Sequence, residues 1–227
     1  APGIAKHEEE IVLAPGADPK SDPCLALRAA VAAAEFGLPI APGTLQNLKS
    51  CPIDDRTWND ESRSLFLRLL ASGPALLQVW EEIDFVDIPG RLIPEWLAIR
   101  NRPSASAAHR YTIDRHSVEV VTRLGRETPR GNRYDDRHYQ ALLMAGILHD
   151  IGKRPGVADH AAEGARHASM VLKRMGFDRD IIWWVTLLVR EHLTLSEFAT
   201  GQNPNDPNVG DELASRLDHD PLLLDML

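Results

Sequence analysis

The stretch "GILHDIGKRPG", residues 146–156, carries the strongest structural signal in this chain. An apolar helical pattern runs directly into the adjacent pair His149-Asp150, and Gly152 and Lys153 follow at once. A buried carboxylate is costly unless a cation or strong hydrogen-bond donors compensate it. The pattern therefore predicts a helix end at which Asp150 needs a compensating partner.

Three kinds of partner could balance the Asp150 carboxylate. Lys153 could form a salt bridge with it, the carboxylate could cap the turn that follows, or a divalent ion could bind there. Imidazole and carboxylate groups are natural co-ligands of such an ion. The other histidines of the chain therefore bear on the choice.

Histidines lie on the apolar faces of three different helical patterns, at His116, His149 and His192. Each of these histidines is separated from aliphatic residues by the spacing of one helix face, so each ring is expected to point toward the core. Gly146, on the face of His149, would let another helix approach closely. A single inward histidine is more often a hydrogen-bonded core residue than a ligand, but three of them beside Asp150 favour a metal site.

Other polar residues lie in or beside these helical patterns. His160 lies ten residues beyond Asp150 at the start of a further helical pattern, where it could join the same site. His167 is interpreted as a packing or surface residue, and Glu191 as a surface residue or a proton acceptor. His109 precedes the first of these helices and could contact the edge of a pocket.

The composition limits the classes of protein that fit. The 227 residues are 44% hydrophobic and carry a formal net charge of −8, which argues against a general nucleic-acid binder. No apolar run reaches transmembrane length and no secretory signal opens the chain, so a cytoplasmic location without membrane contact is expected. Cys24 and Cys51 lack metal-binding spacing and are interpreted as structural.

Strand signals are nearly absent, and an all-α fold is predicted. Helical patterns cover 24–37, 60–73, 74–84, 112–127, 135–150, 159–176, 178–192 and about 208–218. We expect a small helical connecting subdomain over 1–90, whose N-terminal part could be disordered. A linker rich in Pro, Ser and Arg follows over 91–110, and a helical bundle occupies 111–227.

The order of the histidines and Asp150 resembles the HD superfamily of metal-dependent phosphohydrolases. Five motifs carry a closer resemblance: "RLIPEW" (91–96), "HRYTIDRH" (109–116), "GILHDIGK" (146–153), "DHAAEGA" (159–165) and "VREHL" (189–193). They resemble the bacterial bifunctional uridylyltransferase/uridylyl-removing enzyme that modifies the PII nitrogen-signal protein. The resemblance covers about residues 45–227, and the alanine- and arginine-rich composition suggests the actinobacterial type. It implies that the bundle is an HD domain.

The resemblance also implies a site. One or two divalent ions (Mn²⁺, Mg²⁺ or Fe²⁺) are expected, and the implied ligands are His116, His149, Asp150, His160 and His192. Asp150 is the candidate to bridge two ions, and Lys153 could hold a phosphate oxygen, although it could also be an exposed lysine after the helix. Asp150 and Lys153 are therefore the predicted catalytic residues.

One position departs from the family pattern. The family's last ligand is an aspartate, and in "ATGQNPNDP" (199–207) Asn203 stands in its place. An asparagine oxygen can bind an ion but contributes no charge, which could weaken the site or leave only one ion. Asp206 is close enough in sequence to substitute if the loop shifts.

The implied reaction removes a nucleotidyl group from a tyrosine of PII and releases UMP, or AMP as in some actinobacterial relatives. The parent family also has a nucleotidyltransferase domain and ACT domains, whose motifs this chain lacks, so its abrupt ends suggest a fragment. Two alternatives remain open: an HD phosphohydrolase of free nucleotides, and a degenerate HD module that binds without turnover.

Overall fold

The structure, a computed structural model, describes residues 1–54, 57–104, 110–127, 135–203 and 206–227. Helices dominate it, as predicted. The elements in chain order are β1 (Ile4–His7), β2 (Glu10–Leu13), α1 (Leu25–Phe36), α2 (Pro42–Leu48), α3 (Asp60–Leu70), α4 (Ala75–Phe85), α5 (Ile88–Leu92), a 3₁₀ helix (Pro94–Ala98), α6 (Ile113–Glu127), α7 (Asp136–Leu148), α8 (His160–Met175), α9 (Arg179–Glu191), α10 (Thr194–Gly201), α11 (Pro207–Arg216) and α12 (Pro221–Met226).

The first residues form a β-hairpin, which corrects the all-α prediction. β1 and β2 pair antiparallel, with Ile4 opposite Leu13, and Glu8 in the turn takes a left-handed conformation with φ 52°. Ile4 and Ile11 are buried and join the hydrophobic core. The hairpin gives regular structure to the N-terminal part of the connecting region, for which the sequence also allows disorder. Strands of four residues give too short an alternation to be recognised from sequence.

The connecting region is a set of short helices packed on α1, which contacts both α3 and α4. Gly37 ends α1 with φ 63° and its N–H donates to the Ala33 carbonyl, as its position predicted. α3 begins at Asp60, where its predicted pattern begins, and Asn59 caps it in a reciprocal arrangement with Ser62.

The expected linker is partly helical and partly buried. α5 and the 3₁₀ helix occupy its beginning, and Trp96 has no exposed surface. The Trp96 ring packs edge-on against Trp80 of α4, with 5.4 Å between the ring centroids. The prolines at 89 and 94 lie in the first turns of these helices, where a missing N–H costs nothing, so they start helical turns instead of preventing them.

The bundle that carries the histidines is built from α6 to α9. α8 packs along α9, and α7 contacts both α6 and α9. Asp159 caps the start of α8 by accepting from Ala162 N at 2.9 Å, and Gly176 ends that helix with φ 76°. Asp159 and Gly176 are the first and last residues of the predicted pattern 159–176, and the cap at Asp159 fixes where His160 enters the bundle.

The connecting helices and the bundle share one hydrophobic core among the described residues. α4 packs on α6 and α3 packs on α7. Glu95 of the 3₁₀ helix also accepts two hydrogen bonds from the Arg174 guanidinium of α8, at 2.9 and 2.6 Å. Within the described ranges, none of the helices is long and apolar enough to cross a membrane.

Candidate metal centre

Four histidines and one aspartate from separate parts of the bundle come together. They form two groups, His116 with His149 and Asp150, and Asp150 with His160 and His192, and the ligand atoms within each group lie within 4.8 Å of one another. Asp150 belongs to both groups. The structure therefore brings together all five His and Asp residues that the sequence suggested as ligands.

The two oxygens of Asp150 face different histidines. Oδ2 lies 3.4 Å from His149 Nε2, and Oδ1 lies 3.5 Å from His192 Nε2. Two ligands bound at about 2.1 Å to one ion, at tetrahedral or octahedral angles, lie about 3.0 to 3.4 Å apart. The pairs are therefore close to the spacing that a bound divalent ion requires.

The ends of α7 and α9 orient two of the rings by the same device. His149 and His192 each follow the last residue of a helix. Nδ1–H of His149 donates to the Gly146 carbonyl at 2.8 Å, and Nδ1–H of His192 donates to the Val189 carbonyl at 2.7 Å. These carbonyls belong to the last turn, where acceptors lack helical partners. Because a carbonyl only accepts, Nδ1 carries a proton in each ring, which leaves Nε2 as the ring atom directed at the cluster.

Three buried polar atoms in the cluster lack a hydrogen-bond partner among the described residues: Asp150 Oδ1, His160 Nε2 and His192 Nε2. Buried polar atoms are normally paired, so such a convergence calls for an explanation. Burial, Lys153 and His192 lower the pKa of His160, which favours the neutral ring that can donate a lone pair. The donor set and its unpaired atoms fit a divalent ion.

Lys153 forms the salt bridge that was one of the expected alternatives. Its Nζ donates to Asp150 Oδ2 at 2.8 Å. Burial raises the pKa of Asp150, but the imidazoles of His149 and His192 together with the Lys153 ammonium outweigh it and hold that pKa well below its usual range. Asp150, only 1% exposed, is therefore an anion that Lys153 balances at one oxygen only.

Glycines allow the helices of the site to approach closely. A Cβ on Gly152 would lie 2.1 Å from the His160 carbonyl oxygen and 2.4 Å from Gly164 N, so the turn after Asp150 rests directly on the first turn of α8. A Cβ on Gly146 would lie 2.8 Å from the Leu124 side chain, which confirms the close helix contact predicted there. Backbone contact thus sets the distance between Asp150 and His160.

A pocket of about 320 Å³ opens beside the cluster. His116, His149, Asp150, Lys153 and His192 form its polar side. The rest of its described lining is apolar and includes Val120, Leu124, Leu142, Ala145, Leu188 and Met226.

Some residues considered from sequence lie elsewhere. Asn203 is exposed and does not line this pocket, and the exposed Asp206 caps α11 by accepting from Asn208 N at 2.9 Å. His109 lies outside the described residues. Cys24 and Cys51 are buried and unbonded to each other, and burial raises the pKa of Cys51 to about 11, which suits structural thiols.

Glu191 is not the surface residue that the sequence suggested. Only 12% of its side chain is exposed, and it accepts a hydrogen bond from Thr194 Oγ1 at 2.6 Å. It lines a second, polar pocket of about 360 Å³ together with His160. No signal in the helical pattern marks this second pocket, because α10 and α11 close around it from sequence-distant positions.

Comparison with known proteins agrees with this geometry. Residues 113–220 match the HD domain family. The chain is 38% identical over 226 residues to a bifunctional uridylyltransferase/uridylyl-removing enzyme of Mycobacterium tuberculosis, a match that covers 99% of this chain and 27% of the relative. The corresponding enzyme of Streptomyces coelicolor is 40% identical over 209 residues, covering 91% and 24%.

A third relative of the same description, from Corynebacterium glutamicum, is 31% identical over 210 residues, covering 91% of this chain and 29% of the relative. The chain thus spans about a quarter of the length of the curated relatives it matches. It carries an HD domain and is homologous to the HD region of actinobacterial bifunctional uridylyltransferase/uridylyl-removing enzymes.

Proposed function

We propose that this chain is the phosphodiesterase part of a nitrogen-signalling enzyme. It removes a nucleotidyl group from a tyrosine of the PII protein in the cytoplasm, with UMP or AMP as the second product. The names of the relatives, which combine uridylyl transfer with uridylyl removal, support a hydrolytic role for the HD region.

One observation carries the proposal: Asp150 lies between two groups of histidines, with its Oδ1 and the Nε2 atoms of His160 and His192 buried and unpaired. The proposed ligands are His116, His149, Asp150, His160 and His192. Asn203, considered from the sequence as a further ligand, is exposed and is not among the residues that line the apolar pocket, so the proposal does not depend on it.

The chemistry follows from the charges of these residues. A divalent ion in this site would lower the pKa of a water molecule and balance the charge of the phosphoryl oxygens. With imidazoles and a single carboxylate as its ligands, a divalent ion would keep a net positive charge and could accept a phosphodiester anion. Lys153 Nζ, 2.8 Å from Asp150, can turn one of its N–H bonds to a phosphoryl oxygen.

The reaction is a balanced hydrolysis. The hydroxyl of water joins phosphorus and the bond between phosphorus and the tyrosine oxygen breaks. The phenol oxygen takes up the remaining proton, so the products are a nucleoside monophosphate and unmodified tyrosine.

A release assay tests the proposal. The chain is incubated with uridylylated and adenylylated PII, with and without Mn²⁺, beside the variants His149→Ala and Asp150→Ala. We expect Mn²⁺-dependent release by the wild type and at least a hundred-fold slower release by both variants. Cleavage of free nucleotides with modified PII left intact would instead identify a small-molecule phosphohydrolase.

A second candidate is an HD module that binds modified PII without turnover, and the uncharged Asn203 favours it. Metal analysis separates the two. If the purified chain takes up no Mn²⁺, Mg²⁺ or Fe²⁺ and none stimulates release, while modified PII still binds, the module is the correct function.

A further inference from the structure

Two pockets of opposite character adjoin the proposed metal centre. The apolar pocket described above reaches the cluster through His149, Asp150 and His192, and the polar pocket reaches it through His160. The His160 and His192 rings, one in each lining, have their centroids 5.5 Å apart. A phosphodiester bound at the cluster can therefore extend one arm into each pocket.

The apolar pocket is suited to a ring without hydrogen-bonding edges. Beyond the cluster and Lys153, its described lining offers aliphatic side chains such as Leu142, Ala145 and Leu188. A nucleobase buried there would leave carbonyl and N–H groups unpaired, and each such group costs about five-fold to more than a hundred-fold in affinity. A phenyl ring carries no such penalty.

The size of the apolar pocket also favours a single ring. Its volume of about 320 Å³ is at the low end of the range of about 300 to 1,000 Å³ that ligand pockets occupy. It has room for one ring beside a phosphate, and not for a tyrosine and a nucleoside together.

The polar pocket offers hydrogen-bonding groups for a ribose and a base, which the aliphatic wall of the apolar pocket lacks. Its charged and hydroxyl groups come from Asp159, Arg190, Glu191, Thr194, Glu197 and Arg216. The Glu191 carboxylate accepts from Thr194 and lies 3.5 Å from the Arg216 guanidinium, so it is held in place at the wall. A fixed carboxylate is a suitable acceptor for ribose hydroxyls, and the arginines can contact a base by stacking or hydrogen bonding.

We propose that the two arms of the nucleotidyl-tyrosine are divided between these pockets, with the tyrosyl ring in the apolar pocket and the ribose and base in the polar one. This assignment rests on the proposed function. It makes Ala145 and its aliphatic neighbours positioning residues for the leaving group. Hydrolysis then releases the phenol into the apolar pocket and the nucleoside monophosphate into the polar one.

Separate probes of the two arms test the assignment. The probes are UMP, p-cresol and the phenyl ester of UMP, with Mn²⁺ present. Ala145→Leu adds volume inside the apolar pocket, and Arg190→Ala removes a charge from the polar pocket. Ala199→Leu, which adds the same volume on an exposed face of α10, is the matched control. Ester hydrolysis gives KM, inhibition by UMP gives its Ki, and saturation-transfer NMR reports p-cresol binding without turnover.

We expect Ala145→Leu to abolish p-cresol binding and raise KM for the ester at least ten-fold while Ki for UMP changes less than two-fold. Arg190→Ala should raise Ki for UMP at least three-fold and leave p-cresol binding intact. The opposite pattern, in which Ala145→Leu weakens UMP and Arg190→Ala weakens p-cresol, would overturn the assignment, and so would equal effects on both probes.

Leu142→Ala provides a second test that does not depend on loss of function. By enlarging the apolar pocket, it should raise the rate for the 2-naphthyl ester of UMP relative to the phenyl ester at least five-fold; an unchanged ratio counts against the assignment. If the wild type cleaves neither modified PII nor the phenyl ester, the proposed function itself has failed, which is a different result from cleavage with the wrong pocket preference.

Discussion

Two buried carboxylates, Asp150 in the bundle and Glu95 in the connecting region, are compensated in different ways. Both oxygens of Glu95 accept from the Arg174 guanidinium, at 2.6 and 2.9 Å, in the two-pronged geometry that arginine favours. Asp150 has Lys153 at one oxygen, while its other oxygen has no hydrogen-bond donor within the described chain and faces the unpaired His192 Nε2.

The difference separates a structural carboxylate, Glu95, from the proposed metal ligand Asp150. Burial alone does not distinguish them, since both side chains are at most 10% exposed. What differs is the hydrogen bonding: both oxygens of Glu95 accept from Arg174, 79 residues away in the chain, whereas Oδ1 of Asp150 has no hydrogen-bond partner among the described residues and faces the His192 imidazole. Removing each carboxylate should therefore affect different properties.

The largest effect should follow Asp150→Asn. This change removes the charge that attracts an ion but keeps an oxygen that can accept from Lys153. We expect Mn²⁺ affinity and hydrolysis to fall at least about a hundred-fold. Mn²⁺ at a hundred times the wild-type Kd should add about 2.7 kcal/mol to the free energy of unfolding of the wild type and at most about 0.4 kcal/mol to that of the variant.

Thermal unfolding with and without Mn²⁺ measures this difference. Asp206→Asn is the matched control, because the sequence offers the exposed Asp206 as a substitute ligand at the Asn203 position. This substitution should leave the stabilisation by Mn²⁺ unchanged. Undiminished stabilisation of Asp150→Asn by Mn²⁺ would remove the basis for the contrast with Glu95.

Gly152→Ala should affect stability and metal binding together. Its Cβ would collide with the backbone of His160 and Gly164, so the turn after Asp150 must move away from α8. We expect a loss of about 3 kcal/mol in the free energy of unfolding and at least ten-fold weaker Mn²⁺ binding. Urea unfolding and metal titration measure the two effects.

Gly210→Ala is the control for that substitution. Gly210 lies within α11 and has open space around it, so alanine there should stabilise the chain by about 0.5 to 1 kcal/mol. Equal destabilisation by both substitutions would show that the close contact at Gly152 is not the cause.

Glu95→Ala should lower stability without changing metal binding. It leaves the partly buried Arg174 without its carboxylate, which costs about 2 to 3 kcal/mol. Glu35→Ala removes a carboxylate from an exposed pair with Arg68 and should cost less than about 0.5 kcal/mol. Urea unfolding compares the two variants, and reduced Mn²⁺ affinity in Glu95→Ala would mean that this carboxylate also supports the site.

The smallest effect concerns pH. Burial raises the pKa of Glu95, but the hydrogen bonds from Arg174 outweigh it, so the pKa in the folded chain lies below its ordinary value of 4.5. The unfolded chain then binds a proton first as the pH falls, so this stabilisation is present above pH 4.5 and is lost as the pH falls through the folded pKa.

The advantage of the wild type over Glu95→Gln should therefore shrink as the pH falls below about 4.5, measured by urea unfolding at each pH. A constant difference between the two proteins over that range would contradict the lowered pKa.

The sequence predicted the long helices and the inward histidines, because both depend on local periodicity, whereas the full proposed ligand set came from the resemblance to the HD superfamily. Helices α6 to α9 begin and end within two residues of their predicted limits, since residues such as Asp159 and Gly176 cap them in the expected way. The inward positions of His149 and His192 follow from the helical period alone.

What the sequence did not reveal depends on contacts between distant residues. The pairing of Glu95 with Arg174 and the polar pocket around Glu191 have no periodic signature. The buried Trp96 was missed because the neighbouring prolines suggested a loop. Asn203 stands in the sequence where the family has its last aspartate ligand, but this does not tell where its side chain lies. The path of the chain after α10 determines that.

The contact between Gly152 and the first turn of α8 has a consequence for engineering. The atoms nearest to Gly152 in this contact are main-chain atoms of His160 and Gly164, so backbone contact holds the span between the two ligand groups. The walls of the apolar pocket can therefore be redesigned for a different leaving group while the spacing of the proposed ligands is preserved. The bundle backbone would then hold the proposed metal ligands, and the side chains of the apolar pocket would determine which leaving group fits.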